Sequence, residues 1–333
     1  MVRSVVACLG AGRMGRGIAI AFAYAGHEVR LIDLKPRDAQ AFAELRAAAL
    51  GEVRETLASL ASVGLFEPAL VDPIAARVAV VPHAERAATL AEAPLVFEGV
   101  PEILDLKRQV LAEASAFMPP EAILASTTST ILVDDLSGSV ARPERFLNAH
   151  WLNPAYLVPL VELSPGRNTD PAVTARLRGM LEAIGKVPVT CAASPGFIVP
   201  RIQALAMNEA ARMVEEGVAS AGDVDLATRY GFGFRFAVLG LLEFIDWGGG
   251  DILHYASAYL EGALGSERYR APPIIARNME EGRIGLRTGR GFLDYEGRDI
   301  EEYRRGRLAD FVAMLRHVGL ARPPAQEPRQ ASR

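Results

Sequence analysis

His150 and Glu162 stand twelve positions apart in the stretch NAHWLNPAYLVPLVE, residues 148–162, with an Asn-Pro turn and an apolar run between them. An imidazole beside a carboxylate can take a proton from an alcohol while the carboxylate stabilises the imidazolium that forms. If the chain folds back around Tyr156, the two positions face each other, because antiparallel partners share one residue-number sum. A solvent-facing glutamate on an ordinary hairpin is the bland alternative, and spacing alone leaves both open. The other histidines, His27, His83, His254 and His317, fall at a helix end, in a polar loop and on two helical stretches, where a surface or satisfied imidazole is expected.

A second group of residues could hold a nucleotide. LGAGRMGRGI, residues 9–18, follows an apolar strand and opens a helical pattern, with Gly10, Gly12 and Gly15 in the G-x-G-x-x-G spacing. In that motif Gly10 makes the turn, Gly12 lets the backbone approach a pyrophosphate, and Gly15 lets helix and strand pack closely. The helix N-terminus adds free N–H groups for the phosphates. Asp33 ends the second strand eighteen residues after Gly15, where a carboxylate can accept hydrogen bonds from the adenosine ribose. It would repel a 2′-phosphate, so NAD is expected over NADP despite Lys35 and Arg37 nearby. A hydride acceptor would give His150 a task, because the carbon that loses the hydride carries the hydroxyl that must lose its proton.

The elements that must position these groups alternate strand and helix, the pattern of a parallel sheet covered by helices. Strands are expected at SVVACL, EVRLIDL, RVAVV, PLVFEGV, EAILAST, RFLNAHWL, VPLVELS and KVPVTC. Long helices are expected from Asp38 to about Val63, ended by Gly64, and from Pro171 to Ile184. The fold class is therefore α/β, a Rossmann-type doubly wound sheet over residues 1–193, followed by an all-α domain over 194–297. From Arg298 a helix at DFVAMLRHVG precedes a polar, Pro-rich tail, ARPPAQEPRQASR, expected to be disordered.

With 333 residues the chain is long enough for roughly two domains. A net charge of −4 offers no basic face for nucleic acid, so a small-molecule partner is expected. Cys8 and Cys191 lie in apolar runs and read as buried thiols, with neither a disulfide nor a metal site expected from two cysteines and scattered histidines. No apolar stretch approaches the ~20 residues of a membrane span. The sequence enters a strand by Val2, leaving no room for a secretory leader, and the expected location is the cytoplasm.

GAGRMGRGIA, VPEILDLK, ASTTST, NAHWLNPAYLVPLVEL, SPGFIVPR, GFGFRFAVLG and GLRTGRGFLDY, in that order, resemble the 3-hydroxyacyl-CoA dehydrogenase family from about Val2 to Tyr295. The resemblance implies a two-domain fold, NAD, a homodimer built through the helical domain, and a catalytic pair at His150 and Glu162. It also implies a substrate-hydroxyl contact at Ser129, cofactor contacts at Glu102 and Lys107, and Asn153 near nicotinamide and substrate. The implied reaction oxidises a 3-hydroxy group to a 3-keto group, first on a short-chain 3-hydroxyacyl-CoA such as 3-hydroxybutyryl-CoA.

Two departures qualify this. Family members usually read GFIVNR where this chain has Pro200, so an active-site amide is missing; Gln203, one turn further along, is expected to substitute in part, with Asn208 beyond it. Arg235 stands where acyl-CoA enzymes usually carry proline, as in relatives that act on small hydroxy acids such as L-gulonate dehydrogenase and its lens relative lambda-crystallin. A guanidinium suits a free carboxylate, and equally a subunit contact. A non-catalytic, crystallin-like NAD-binding protein is the alternative that Pro200 keeps open. A lysine-based dehydrogenase of the 3-hydroxyisobutyrate type is disfavoured, because residues 194–243 contain no lysine.

Overall fold

The computed structural model describes residues 5–324. The chain divides between Ala206 and Met207 into two compact units.

The first unit holds one eight-stranded sheet made of β1 (Val5–Leu9), β2 (Glu28–Ile32), β3 (Val78–Val81), β4 (Leu95–Glu98), β5 (Ile123–Ser126), β6 (Phe146–Trp151), β7 (Leu160–Pro165) and β8 (Val187–Thr190). The order is β3-β2-β1-β4-β5-β6-β7-β8, and each expected strand is present. Only β6 and β7 pair antiparallel. The carboxyl ends of β1 to β6 therefore share one edge of the sheet, and the winding reverses between β1 and β4, where such sheets bind ligands.

Helices cover both faces, which is why β4 and β6 read as nearly unbroken apolar runs. One face buries Phe22, Leu57, Phe97 and Trp151, and the other Leu9, Leu111, Leu124 and Phe146. Helix α1 (Arg13–Tyr24) lies on the first face, and a Cβ on its Gly17 would come within 3.1 Å of Ala155 Cβ. Helix α2 (Ala39–Ser62) matches the expected span. Asp38 caps it by accepting from Ala41 N at 2.8 Å, and Gly64, at φ 84°, turns the chain away.

The second unit is helical, with helices at Ala221–Ala227, Leu241–Gly248, Gly250–Leu264, Pro273–Glu280 and Ile300–His317. Its centre is Asp246, 2% exposed, which accepts from Phe292 N at 2.9 Å, Leu293 N at 2.8 Å and the Tyr295 hydroxyl at 3.2 Å. That explains GLRTGRGFLDY: a Cβ at Gly291 would sit 2.0 Å from the Asp246 carboxylate, so only glycine fits. The last helix is longer than DFVAMLRHVG alone predicts. Asp299 caps it by accepting from Glu302 N at 2.9 Å, and Glu301 and Glu302 complement the dipole of the first turn. The tail from Ala325 lies outside the described residues.

One further expectation changes. Cys8 is buried, and burial pushes its thiol up to about 12, but Cys191 is partly exposed because it follows β8 at the open edge of the sheet. The start of the helix Val199–Glu215 is tied to the sheet through Glu162 and falls within the first compact unit. Among the described residues no helix is long and apolar enough to cross a membrane, and no cluster of His, Cys, Asp and Glu could hold a metal ion.

Candidate active site

The β6–β7 register pairs His150 directly with Glu162. His150 is the penultimate residue of β6, and its Nδ1 lies 2.7 Å from Glu162 Oε2, with both side chains buried. Glu162 is entirely inaccessible, and its other oxygen accepts from Ile198 N and Val199 N, each at 2.8 Å. Glu162 Oε2 accepts a hydrogen bond from Nδ1–H in the tautomer that carries its hydrogen there, and that tautomer leaves Nε2 as a free base.

The motif SPGFIVPR supplies the two backbone donors. Gly196 at φ 77° and Phe197 at φ 45° turn the chain so that successive N–H groups converge on one carboxylate oxygen. A positive φ is strained for a bulky side chain, and Phe197 is held there by stacking on His150, with centroids 5.0 Å apart and rings 4° from parallel. Sequence reasoning missed Phe197. Pro200, the second residue of the helix Val199–Glu215, removes an N–H that has no intrahelical partner in a first turn.

Of the nucleotide residues, Gly10, Gly12 and Asp33 line a cleft of about 570 Å³ at the same edge of the sheet. Gly10 has φ 105°, a Cβ on Gly15 would lie 2.2 Å from Gly10 O, and one on Gly12 would meet nothing within 4 Å because it faces the open cleft. Asp33 ends up 5% exposed, accepting from Arg37 Nε at 2.7 Å and Lys35 N at 3.2 Å. Each of its oxygens keeps a lone pair for a ribose hydroxyl. This open glycine cradle and the acid across the cleft fit NAD.

Glu102, Lys107 and Ser129 come together beyond the ends of β4 and β5. Glu102 Oε1 accepts from Ser129 N and Thr130 N, each at 3.0 Å, from Thr130 Oγ1 at 2.9 Å and from the Thr128 hydroxyl. Burial opposes its ionisation, but hydrogen bonds from Thr128 and Thr130 with the charge of Lys107 outweigh that and bring it down to about 2. A depressed carboxyl stabilises the fold above its ordinary value and loses that contribution as pH falls through the folded one. Amide protection of Ser129 and Thr130 is therefore expected to persist at pH 5 and to vanish as pH falls toward about 2, read by hydrogen exchange. Loss already at pH 5 would refute the Glu102 tie.

Ser129 is exposed, and its hydroxyl makes no hydrogen bond among the described residues. Asn153 lines a separate cavity of about 360 Å³ with Arg13, Arg16, Glu52, Thr56 and Tyr156. Lys186, which sequence reasoning also missed, braces the loop that carries Asn153: its Nζ donates to Ala155 O at 2.6 Å and Val158 O at 2.8 Å. Gln203 is exposed on its helix, with no partner among the described residues to mark it as a substitute amide. Asn208 is exposed as well. Arg235 belongs to the helical unit, where its Nε donates to Gly231 O at 3.0 Å and its guanidinium lies 5.0 Å from the Phe244 ring centre.

Residues 5–194 match the family described as 3-hydroxyacyl-CoA dehydrogenase, NAD binding domain, and residues 196–295 match its C-terminal domain. A 3-hydroxybutyryl-CoA dehydrogenase of Bradyrhizobium diazoefficiens is 33% identical over 292 residues, 88% of this chain and 95% of that protein. A 5-formyl-3-hydroxy-2-methylpyridine 4-carboxylate 5-dehydrogenase of Mesorhizobium japonicum is 30% identical over 322 residues, 95% of this chain and 98% of that one. The crystal structure of a 3-hydroxyacyl-CoA dehydrogenase from Archaeoglobus fulgidus superposes with a TM-score of 0.73 at 33% identity, covering 96% of this chain and 100% of its own. Both halves of the chain thus carry the family's sequence, and the glycine cradle fits its dinucleotide: the chain belongs to the 3-hydroxyacyl-CoA dehydrogenase family and is an NAD-dependent oxidoreductase.

Proposed function

We propose that the chain oxidises the 3-hydroxy group of a short-chain 3-hydroxyacyl-CoA, such as 3-hydroxybutyryl-CoA, to the 3-keto group. The observation that carries this is the buried His150–Glu162 pair at 2.7 Å, at the sheet edge shared with the glycine cradle. NAD, when bound, supplies the hydride acceptor. His150 Nε2 takes the hydroxyl proton, and Glu162, fixed by two backbone donors, stabilises the imidazolium without changing its own protonation. Ser129, with its free hydroxyl beyond β5, holds the substrate hydroxyl, and Asn153 borders the substrate. The first 193 residues serve the cofactor and residues 194–297 the substrate and dimerisation. The protein acts as a cytoplasmic homodimer, supported by the apolar side chains that the helical unit exposes, among them Met207, Tyr255 and Tyr259.

One feature favours a second reading, a substrate with a free carboxylate. Arg13 lines the cavity beside Asn153 and makes no hydrogen bond or ion pair among the described residues, whereas Arg16 there is paired with Glu52 at 2.8 Å. A free guanidinium in a small cavity suits a carboxylate, and the Mesorhizobium relative acts on one without a CoA thioester in its name. Steady-state assays with 3-hydroxybutyryl-CoA and L-gulonate separate the readings. Turnover of the thioester that survives Arg13→Met and Arg235→Ala is expected. Activity confined to the free acid, and lost in either variant, would replace the first reading with the second.

A further inference from the structure

The turn between β6 and β7 rests on a buried charge that has no opposite charge beside it. Lys186, the residue before β8, is 8% exposed, and among the described residues no carboxylate pairs with it. Its backbone is fixed, since Lys186 N donates to Leu181 O at 3.0 Å and Val187 N to Pro159 O at 2.8 Å. Its Nζ donates to Ala155 O at 2.6 Å and Val158 O at 2.8 Å and lies 5.5 Å from the Trp151 ring centre. Both carbonyls belong to one tight turn, in which Leu157 N and Val158 N donate to Pro154 O at 3.0 and 2.9 Å. No backbone N–H among the described residues reaches either carbonyl, so the ammonium is their donor within the chain. On its other side the turn packs on α1: Ala155 is 1% exposed, and a Cβ on Gly17 would come within 3.1 Å of the Ala155 Cβ.

We propose that Lys186 is a positioning residue, which holds the turn of residues 154–158 against α1 and thereby sets where Asn153 stands at the substrate. Burial opposes the ammonium charge and lowers its pKa, so an apolar stem would fill the same space at less cost. What the charge adds is direction. Two hydrogen bonds from one nitrogen fix the turn from the β8 side, Gly17 gives it room on the α1 side, and Asn153 leads directly into it. Asn153, Ala155 and Tyr156 then form one wall of the cavity whose other walls carry Arg13 and Thr56. The ladder that pairs His150 with Glu162 ends at Trp151–Val161, before the turn begins. Lys186 is therefore expected to govern substrate orientation and to leave the proton pair as it is.

The inference rests on the reading that Asn153 borders the substrate, and the two can fail separately. Lys186→Met keeps the stem and removes the donors. With whichever of 3-hydroxybutyryl-CoA and L-gulonate the protein turns over, it is expected to lower kcat/KM by about 10- to 100-fold and to leave the Kd for NAD within about threefold. Amide exchange at Leu157 and Val158 should speed up, while the acid limb of the pH–kcat profile, set by His150, should not move. Adding Asn153→Ala to that background should cost little more, because the amide is already displaced. Unchanged exchange at Leu157 and Val158 would overturn the proposal whatever the substrate proves to be, and so would wild-type kcat/KM. A shifted acid limb would overturn it too, by placing the effect in the His150–Glu162 pair. If Asn153→Ala alone is silent while Lys186→Met still loses rate and protection, the Asn153 reading falls and the brace stands. Should Lys186→Met not fold, Gly17→Ala, which presses the turn from the α1 side and suits a helix, is expected to lower kcat/KM about tenfold. A wild-type rate in Gly17→Ala would then overturn the proposal.

Discussion

Replacing His150 by alanine is expected to lower turnover by about 10²–10⁴-fold while leaving the Kd for NAD within about threefold. The imidazole is the one group at this site whose free nitrogen can accept a proton while the other is fixed, by Glu162 at 2.7 Å. The glycine cradle follows β1 and Asp33 follows β2, and among the described residues no hydrogen bond connects them to the His150 ring. Separate titration of NAD by fluorescence and single-turnover measurement of the hydride step check the two halves. An unchanged hydride step would remove His150 from the chemistry. A large loss of NAD affinity would instead show that the hairpin shapes the cofactor cleft.

The second large effect belongs to Glu162. Alanine there leaves three donors without their acceptor, the buried His150 Nδ1 and the part-buried Ile198 N and Val199 N, and a buried donor left unpaired costs about 1–3 kcal/mol. Thermal and urea unfolding should show a loss of about 3 kcal/mol, the order expected from stranding these donors. Glutamine separates structure from chemistry. Its carbonyl oxygen still accepts from Ile198 and Val199, but its amide presents N–H to Nδ1 and drives the imidazole proton to Nε2, the wrong place for a base. Glu162→Gln should therefore keep most of the stability and still lose about 100-fold in turnover. A stable glutamine variant with full turnover would mean that the tautomer does not matter and the pair is structural.

Much of this arrangement was legible in the sequence because it depends on local rules. The His150–Glu162 facing follows from strand register, and Gly10 and Gly15 of LGAGRMGRGI are required by backbone geometry that the spacing encodes. Lys186 was not legible as an anchor. It is a single charged residue beside apolar runs, and its partners, Ala155 and Val158, come from a distant part of the chain. Phe197 escaped for a different reason, since nothing in a phenylalanine signals a positive φ. The Pro200 question also looks different in three dimensions. The donors to Glu162 come from the two residues before it, so the proline does not interrupt the carboxylate's support.

The antiparallel reversal between β6 and β7 has one more consequence. Pairing across the two strands runs from Trp151–Val161 to Leu147–Pro165, and the connection between Leu152 and Pro159 lies outside the ladder. Its length and composition can change without moving His150 away from Glu162, while Asn153 and Tyr156 within it border the neighbouring cavity. The proton pair and the cavity wall are thus inherited as separable parts. A lineage, or a designer grafting new sequences between those two strands, can reshape that cavity wall while the geometry of the His150–Glu162 pair stays as it was.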